Sequence, residues 1–495
     1  MEKSDSYSHI VKYTGLFGGV QGLNILIGVI RNKFIAMILG PSGMGLMSLF
    51  NSTVKLISDS TNLGLSMSAV REISDAYEHG DEPRVLHIVK LIRMWSLLVG
   101  LLGVFICIAL SPFLNQWTFT WGNHTLHFIL LSPVVGLTAI TGGELAILKG
   151  TRQLKHLAVI SVYNVVIITL LTIPLLYYWR QAAIVPSLVI GALVQMLLTI
   201  GYSYRLFALK WSVDKNVLGE GMGMVKLGIA FVLAGILGSG AEFLIRTFLN
   251  TAGELADVGL YNAGYMMTMT YAGMVFSAME TDYFPRLSAI KGIGEELNRT
   301  VNRQIEVSLL LISPLLVTFM IGMPVFLPLL YSGKFMSILG MTQVAILAMF
   351  LRAVNLPISY ISLSKGDSLT YLLLEAVYDV LIVLLVIVGY RGWGIWGTGV
   401  AITISAVADT TMIICYTHYK YGYSVSTEVR QYLLLQFSVG IAAYLVTYVQ
   451  QAWLYWSLGV LLSILSFAIS IHILRGKSHL WAALVARVKG RRNHD

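Results

Sequence analysis

Five basic side chains stand in stretches that otherwise read as hydrocarbon: Arg31, Lys33, Lys55, Arg246 and Arg352. At the centre of a spanning helix each costs about 2.5 to 3.5 kcal/mol, so left unpaired the set would cost on the order of 12 kcal/mol. Helical spacing offers some relief. Lys55 and Asp59 are four apart, as are Glu242 and Arg246, and each pair shares a helix face on which it can neutralise itself. Lys33 lies seven residues before Gly40-Pro41, roughly 10 Å along a helix, within reach of an interface by snorkelling. Arg31 has no acid nearby on its own helix and points about 200° around from Lys33. A guanidinium fork matches phosphate oxygens and stays charged at any physiological pH. Arg31 and its counterpart Arg246 therefore point to an anionic ligand such as a phosphate ester.

Acids stand in the same stretches: Asp59, Glu242, Glu375 and Asp379 one turn apart, and Asp409. Buried carboxylates carry protons, coordinate sodium, or simply balance cations such as Arg246 and Arg352. Glu144 is expected at an interface, close to a helix end. His124 and His127 are spaced i, i+3, but no neighbouring Cys, Asp or Glu completes a metal set. The two cysteines, Cys107 and Cys415, fall in separate helices and are expected to be packing residues. No metal or cofactor is expected apart from a coupling Na+ or H+, and no catalytic residue.

These residues are carried by a chain that is 56% hydrophobic and 12% charged over 495 residues, which a soluble globular protein would not show. A span needs about 20 mainly apolar residues. Fourteen candidates fall at about 11–39, 42–70, 86–112, 124–148, 157–178, 183–205, 225–249, 257–284, 304–328, 338–363, 369–389, 394–418, 430–449 and 452–474. The expected class is an all-α polytopic membrane protein. MEKSDSYSHIVKYTG lacks the cleavage signature of a removable signal peptide, so the first helix is expected to stay.

The net charge of +9 is a matter of orientation rather than of nucleic acid. Alternate connections and the tail hold 26 of the 34 Lys and Arg, leaving only Arg180, Lys334 and Arg391 on the opposite side. That asymmetry places both termini in the cytoplasm. Trp117, Trp121, Trp179, Trp393, Trp453 and Trp456 fall at helix ends, where amphipathic rings favour the interface.

The chain also repeats at an offset of about 215 residues. RNKFIAMILGPSGMGLMSLF is echoed by RTFLNTAGELADVGLYNAGY, and LKGTRQLKHLAVISVYNVV by LSKGDSLTYLLLEAVYDVL. Two six-helix lobes follow, 1–210 and 211–420, then two additional helices and a basic tail over 421–495. An even number of crossings per copy makes the repeat parallel, the arrangement of transporters whose substrate path runs between two rocking halves. The repeat also pairs Arg31 with Arg246 and predicts that they face each other across a central cleft.

GPSGMGLMSLF after a cationic first helix, the LKGTR and LSKGDS turns, and YSGKF followed by LLLEAVYDVL resemble Wzx-type O-antigen and enterobacterial common antigen flippases. These are members of the multidrug/oligosaccharidyl-lipid/polysaccharide (MOP) exporter superfamily. The resemblance covers about 10–420; two further helices also occur in lipid II flippases. It implies a V-shaped transporter of the bacterial inner membrane that moves an undecaprenyl-pyrophosphate-linked oligosaccharide from the cytoplasmic to the periplasmic leaflet. The pyrophosphate falls to Arg31, Lys55 and Arg246 and less securely to Lys33, and sugar contacts or helix packing to Asn51, Ser52, Tyr261, Asn262 and Tyr265. Cation coupling falls to Glu242, Glu375, Asp379 and Asp409, with Asp59 the acid of the first lobe. Arg352 departs from the family, some members of which carry an acid there. Implied partners are the lipid-linked oligosaccharide, membrane lipids and polysaccharide polymerase machinery. A multidrug exporter of the same superfamily is the alternative, disfavoured by the cationic first lobe. A membrane enzyme of glycan assembly would need an extramembrane catalytic set that the short connections do not offer.

Overall fold

The computed structural model describes residues 2–208, 215–273, 276, 283–284, 286–290 and 292–476, and its described residues hold helices and no strand. The first half comprises α1 (Glu2–Thr61), α2 (Leu65–Glu78), α3 (Glu82–Thr118), α4 (Thr125–Gly150), α5 (Leu154–Trp179), α6 (Ile184–Leu206) and α7 (Lys215–Ala252). Then come α8 (Leu255–Tyr265), α9 (Glu295–Leu330), α10 (Leu339–Ser364), α11 (Ser368–Tyr421), α12 (Thr427–Val446) and α13 (Ala452–Gly476). The middle of the basic linker, most of the eighth expected span beyond Gly273 and the basic tail lie outside the described residues.

Nine stretches of the described residues are long and apolar enough to cross a membrane. Three of them, of 40, 52 and 54 residues, are double-length and broken in the middle: at Gly40, at the tight turn Arg180–Ala183 and at Trp393–Gly394. Counted as two limbs each, they raise the spans to twelve, and α7 and α8 occupy the seventh and eighth expected positions. The break in α1 follows from its residues. A residue before proline is driven out of the helical region, and Gly40 takes φ 66°, ψ −174°, a conformation open only to glycine.

One helix was not expected. The second span ends at Thr61, short of the expected residue 70, and Gly64 in a left-handed conformation starts α2. Leu65, Ala69, Ile73 and Ala76 lie buried on one face of α2, packed with Val89, Ile92 and Trp95 of α3 and Ile147 of α4. Its opposite face pairs Asp75 with Arg84 at 3.2 Å and Glu78 with Arg152.

By compactness the chain forms two units, Met1–Leu260 with Leu329–Lys334, and Tyr261–Pro328 with Phe335–Asp495. The division falls at Leu260 rather than at residue 210 because α7 packs on α1, α2 and α3. The start of α8 does likewise: a Cβ on Gly259 would lie 1.9 Å from the Pro41 carbonyl oxygen, and one on Gly45 2.0 Å from that of Leu255. Only glycine permits so close a backbone approach. The last two helices dock on the second unit, where the Tyr455 hydroxyl donates to the Ile321 carbonyl at 2.7 Å.

Candidate functional site

The break at Gly40 decides where the first cation goes. On a straight helix Arg31 and Asn51 would stand about 30 Å apart; here they line one cavity of about 430 Å³ inside the first unit. Thr138 and Thr141 from α4, Asn164 and Thr172 from α5, and Ser187 and Gln195 from α6 complete its polar lining. Among the described residues no carboxylate lines this cavity, and the buried Nε of Arg31 has no acceptor. A guanidinium removed from water and left without an anion is costly. The polar groups around it are side-chain amides and hydroxyls, set among apolar residues such as Ile35, Val134 and Leu188; they can hydrogen-bond a polyhydroxylated ligand without adding charge.

Arg246 is not in that cavity, which departs from the expected pair of facing guanidiniums. Its Nη1 lies 3.0 Å from Glu242 Oε2 and its Nε donates to Ser48 Oγ at 2.8 Å. Glu242 Oε1 in turn sits 2.7 Å from Lys55 Nζ. The pairing expected between Lys55 and Asp59 is thus replaced by one across helices, because α7 lies alongside the second limb of α1. Asp59, hydrogen-bonded to Ser239, extends the row, so that Arg246, Glu242, Lys55 and Asp59 alternate in sign. Lys55 and Glu242 remain open, with side chains 51% and 34% exposed, whereas Arg246 is 10% exposed. Asp59 also lines a second cavity, of about 230 Å³, that shares Thr138 with the first.

The other expected ligand contacts fall elsewhere. Ser52 is buried and donates to the Leu49 carbonyl of its own helix at 3.0 Å. Tyr261 is buried, its ring 6.1 Å from that of Tyr265; neither of these, nor Asn262 nor the half-buried Lys33, lines the Arg31 cavity.

In the second unit, Arg352 and Asn355 of α10 and Glu375, Tyr378 and Asp409 of α11 line a cavity of about 140 Å³. The Asn355 amide donates to Asp409 Oδ2, and Tyr371 bonds Glu375. With both acids ionised the three charged groups sum to one negative charge, which one proton or one cation would neutralise. Asp379 has a partner of its own and does not line this cavity. Glu242, expected with these acids, belongs to the first unit.

Glu144 is buried rather than interfacial. Arg93 Nε donates to its Oε1 at 2.8 Å, Ser203 Oγ to its Oε2 at 2.5 Å, and Arg93 also donates to the Phe207 carbonyl at 3.0 Å. The Arg93 guanidinium lies 4.1 Å over the Tyr204 ring. This network joins α3, α4 and the end of α6. His124 and His127 sit 5.1 Å apart in an aromatic nest with Phe50 and Phe119. Burial, and secondarily the neighbouring His127, hold His124 below the usual imidazole range. Among the described residues no group of three or more His, Cys, Asp or Glu could hold a metal ion.

With its broken double spans and a charged cavity inside each of two helical units, the chain has the fold of solved transporters of the MOP superfamily. The lipid II flippase MurJ in an inward closed conformation superposes with a TM-score of 0.74 at 12% identity, covering 93% of this chain and 99% of that one. An inward-facing multidrug resistance MATE transporter gives 0.66 at 14%, covering 82% and 96%. A Pyrococcus furiosus MOP transporter described by the reverse polarity of its binding pocket gives 0.57 at 16%, covering 83% and 94%. No curated protein sequence matches the chain. Residues 10–291 match the family described as polysaccharide biosynthesis protein, and the chain belongs to that family.

Proposed function

We propose that this protein is a flippase for an undecaprenyl-pyrophosphate-linked oligosaccharide, moving it from the cytoplasmic to the periplasmic leaflet of the bacterial inner membrane by alternating access, with both termini cytoplasmic. The observation that carries the reading is Arg31: a guanidinium without an acid partner among the described residues, in a cavity whose other polar lining is amides and hydroxyls. That lining suits an anionic, hydroxyl-rich headgroup and repels the cationic compounds that a drug exporter gathers with acids and aromatic faces. Family membership supports a role in polysaccharide assembly. The chemistry asked of the protein is binding and release, with no bond made or broken.

Arg31 is the primary contact for the anionic group, and Asn51, Asn164 and Gln195 contact neighbouring hydroxyls. Asn51 lies one turn from Lys55 on the same limb, which leads from the cavity to the Lys55–Glu242–Arg246 row. Asp409 and Glu375 beside Arg352 are the candidates for coupling H+ or Na+. Outward movement of anionic phosphates runs with an inside-negative potential, worth about 2.3 kcal/mol per charge per 100 mV; protein cations travelling with the headgroup would cancel that gain and require an inward-moving cation. On the periplasmic side the product would meet polysaccharide polymerase machinery.

In cells depleted of the protein, Arg31→Glu should fail to restore export of the glycan while remaining in the membrane at wild-type amount. Full restoration by Arg31→Glu would remove the basis of the proposal.

A further inference from the structure

We infer that Glu242 occupies, as a tethered stand-in, an anion site built by Lys55 and Arg246, and that it is the group that expels the transported anion. The inference rests on the proposed transport of an anionic headgroup and adds the means of release.

The geometry is that of a ligand-bound clamp. One carboxylate places one oxygen on each of two cations, Oε1 at 2.7 Å from Lys55 Nζ and Oε2 at 3.0 Å from Arg246 Nη1. Those are charge-assisted hydrogen-bond lengths, and a phosphate group can bridge two cations in the same way with two of its oxygens. The cations are held differently. Arg246 is fixed by Ser48, which accepts from Nε at 2.8 Å, while Lys55 is half exposed on a flexible stem. Glu242 is one-third exposed, so it can turn toward water when another anion takes its place. Asp59 from α1 also acts on this position through the charges of Lys55 and Glu242, and it bonds Ser239.

A group tethered beside its site competes at a high effective concentration. A diphosphate, carrying more charge than a carboxylate, can displace it; once the protein's change of state weakens the hold on the diphosphate, Glu242 returns and closes the site. A transporter that binds tightly on one side must let go on the other, and a resident competitor supplies that step. The row as it stands carries no net charge; Glu242→Gln would give it one positive charge without changing its shape.

The test is binding of inorganic pyrophosphate and of farnesyl pyrophosphate to the purified full chain, alongside multiple-turnover flipping in liposomes. Glu242→Gln should tighten pyrophosphate binding about tenfold or more and steepen its salt dependence, while slowing turnover. Glu242→Asp, which keeps the charge but is too short to bridge both cations, should tighten binding less. Adding Lys55→Gln to Glu242→Gln should bring the affinity back toward wild type. A gain with both probes means the site reads phosphate itself; a gain confined to the farnesyl ester means the lipid must present it. Equal or weaker binding of both probes by Glu242→Gln overturns the inference, and does so independently of whether Arg31 variants still flip lipid. A gain in a chain that moves no lipid-linked sugar would leave the anion site standing and remove the transport reading instead.

Discussion

Glu144 offers the sharpest quantitative check on the packing of the first unit. Its side chain is 2% exposed and that of Arg93 10% exposed, so Glu144→Ala leaves a guanidinium in the interior with neutral partners: the Ser203 hydroxyl, the Phe207 and Ala208 carbonyls and the face of Tyr204. Removing one partner of a buried ion pair costs about 3 to 5 kcal/mol. For a compact unit of this size each kcal/mol lowers the melting temperature by about 2 to 4 °C, which puts the expected loss at about 10 °C. Glu144→Gln keeps the shape and one acceptor, and should lose roughly half as much. Replacing both charges, Arg93→Met with Glu144→Leu, removes the desolvation cost together with the attraction, so the double variant should melt above Glu144→Ala. Intrinsic tryptophan fluorescence in detergent can follow this, since Trp95 is buried two residues from Arg93. A Glu144→Ala protein melting within about 1 °C of wild type, or a double variant melting below it, would refute the reasoning.

The remaining expectations are narrower. Losing a charged hydrogen bond at the cavity should make Arg31→Gln flip lipid about 10- to 150-fold more slowly, with Arg31→Lys intermediate because charge survives and the fork does not; equal rates in initial-rate flipping assays would count against Arg31 as the contact. Gly259→Ala would put a methyl 1.9 Å from the Pro41 carbonyl oxygen, so it should cost about 1 to 3 kcal/mol and lower the melting temperature, and an unchanged melt would be contrary evidence. At the turn before α11, Lys420 and Tyr421 donate to Asp367 and hold its carboxyl well below the usual carboxylate range. That contribution is present above the ordinary carboxylate pKa and is lost only as pH falls through the lowered one. Hydrogen exchange over 415–422 should therefore be alike at pH 5 and 8 after correction for intrinsic rates, and faster in Asp367→Asn at pH 7; a rise in the wild type by pH 5 would contradict this sign. Asp409→Asn should abolish stimulation of flipping by a cation gradient while leaving exchange without a gradient intact, and retained stimulation would clear Asp409 of that role.

Much of the fold was legible because hydropathy and punctuation act locally. Gly40-Pro41 breaks α1 for reasons confined to two residues, and the apolar runs mark the spans that surround it. The division of the chain was less legible: the repeat begins its second copy before α7, while packing assigns α7 to the first unit. Arg31 stood out because a charge in hydrocarbon demands an account. Asn164 and Gln195, which share its cavity, did not, since neutral polar residues in spans usually satisfy themselves by packing. Asn164 lies within the repeated segment LKGTRQLKHLAVISVYNVV, and Gln195 is a lone amide within the span at 183–205. Pairing by i, i+4 spacing anticipated Glu242–Arg246 but assigned Lys55 to Asp59, because periodicity fixes a shared face and says nothing of what the neighbouring helix brings to it. Glu144 was misplaced for the same reason: its partner comes from α3, and the hydroxyl that completes its bonds from α6.

The central claim is that Arg31 and its amide-lined cavity grip the anionic headgroup of a lipid-linked sugar during transfer between leaflets. It is tested most directly by purified protein in liposomes carrying a fluorescent polyprenyl-pyrophosphate oligosaccharide, with transfer followed by outer-leaflet quenching under defined pH, sodium and voltage gradients. The account predicts that the wild type moves the lipid chemically unchanged, that Arg31→Gln does so slowly under every gradient, and that an uncharged polyprenyl alcohol is not moved. Equal transfer by wild type and Arg31→Gln, or recovery of a chain-lengthened product, would contradict it.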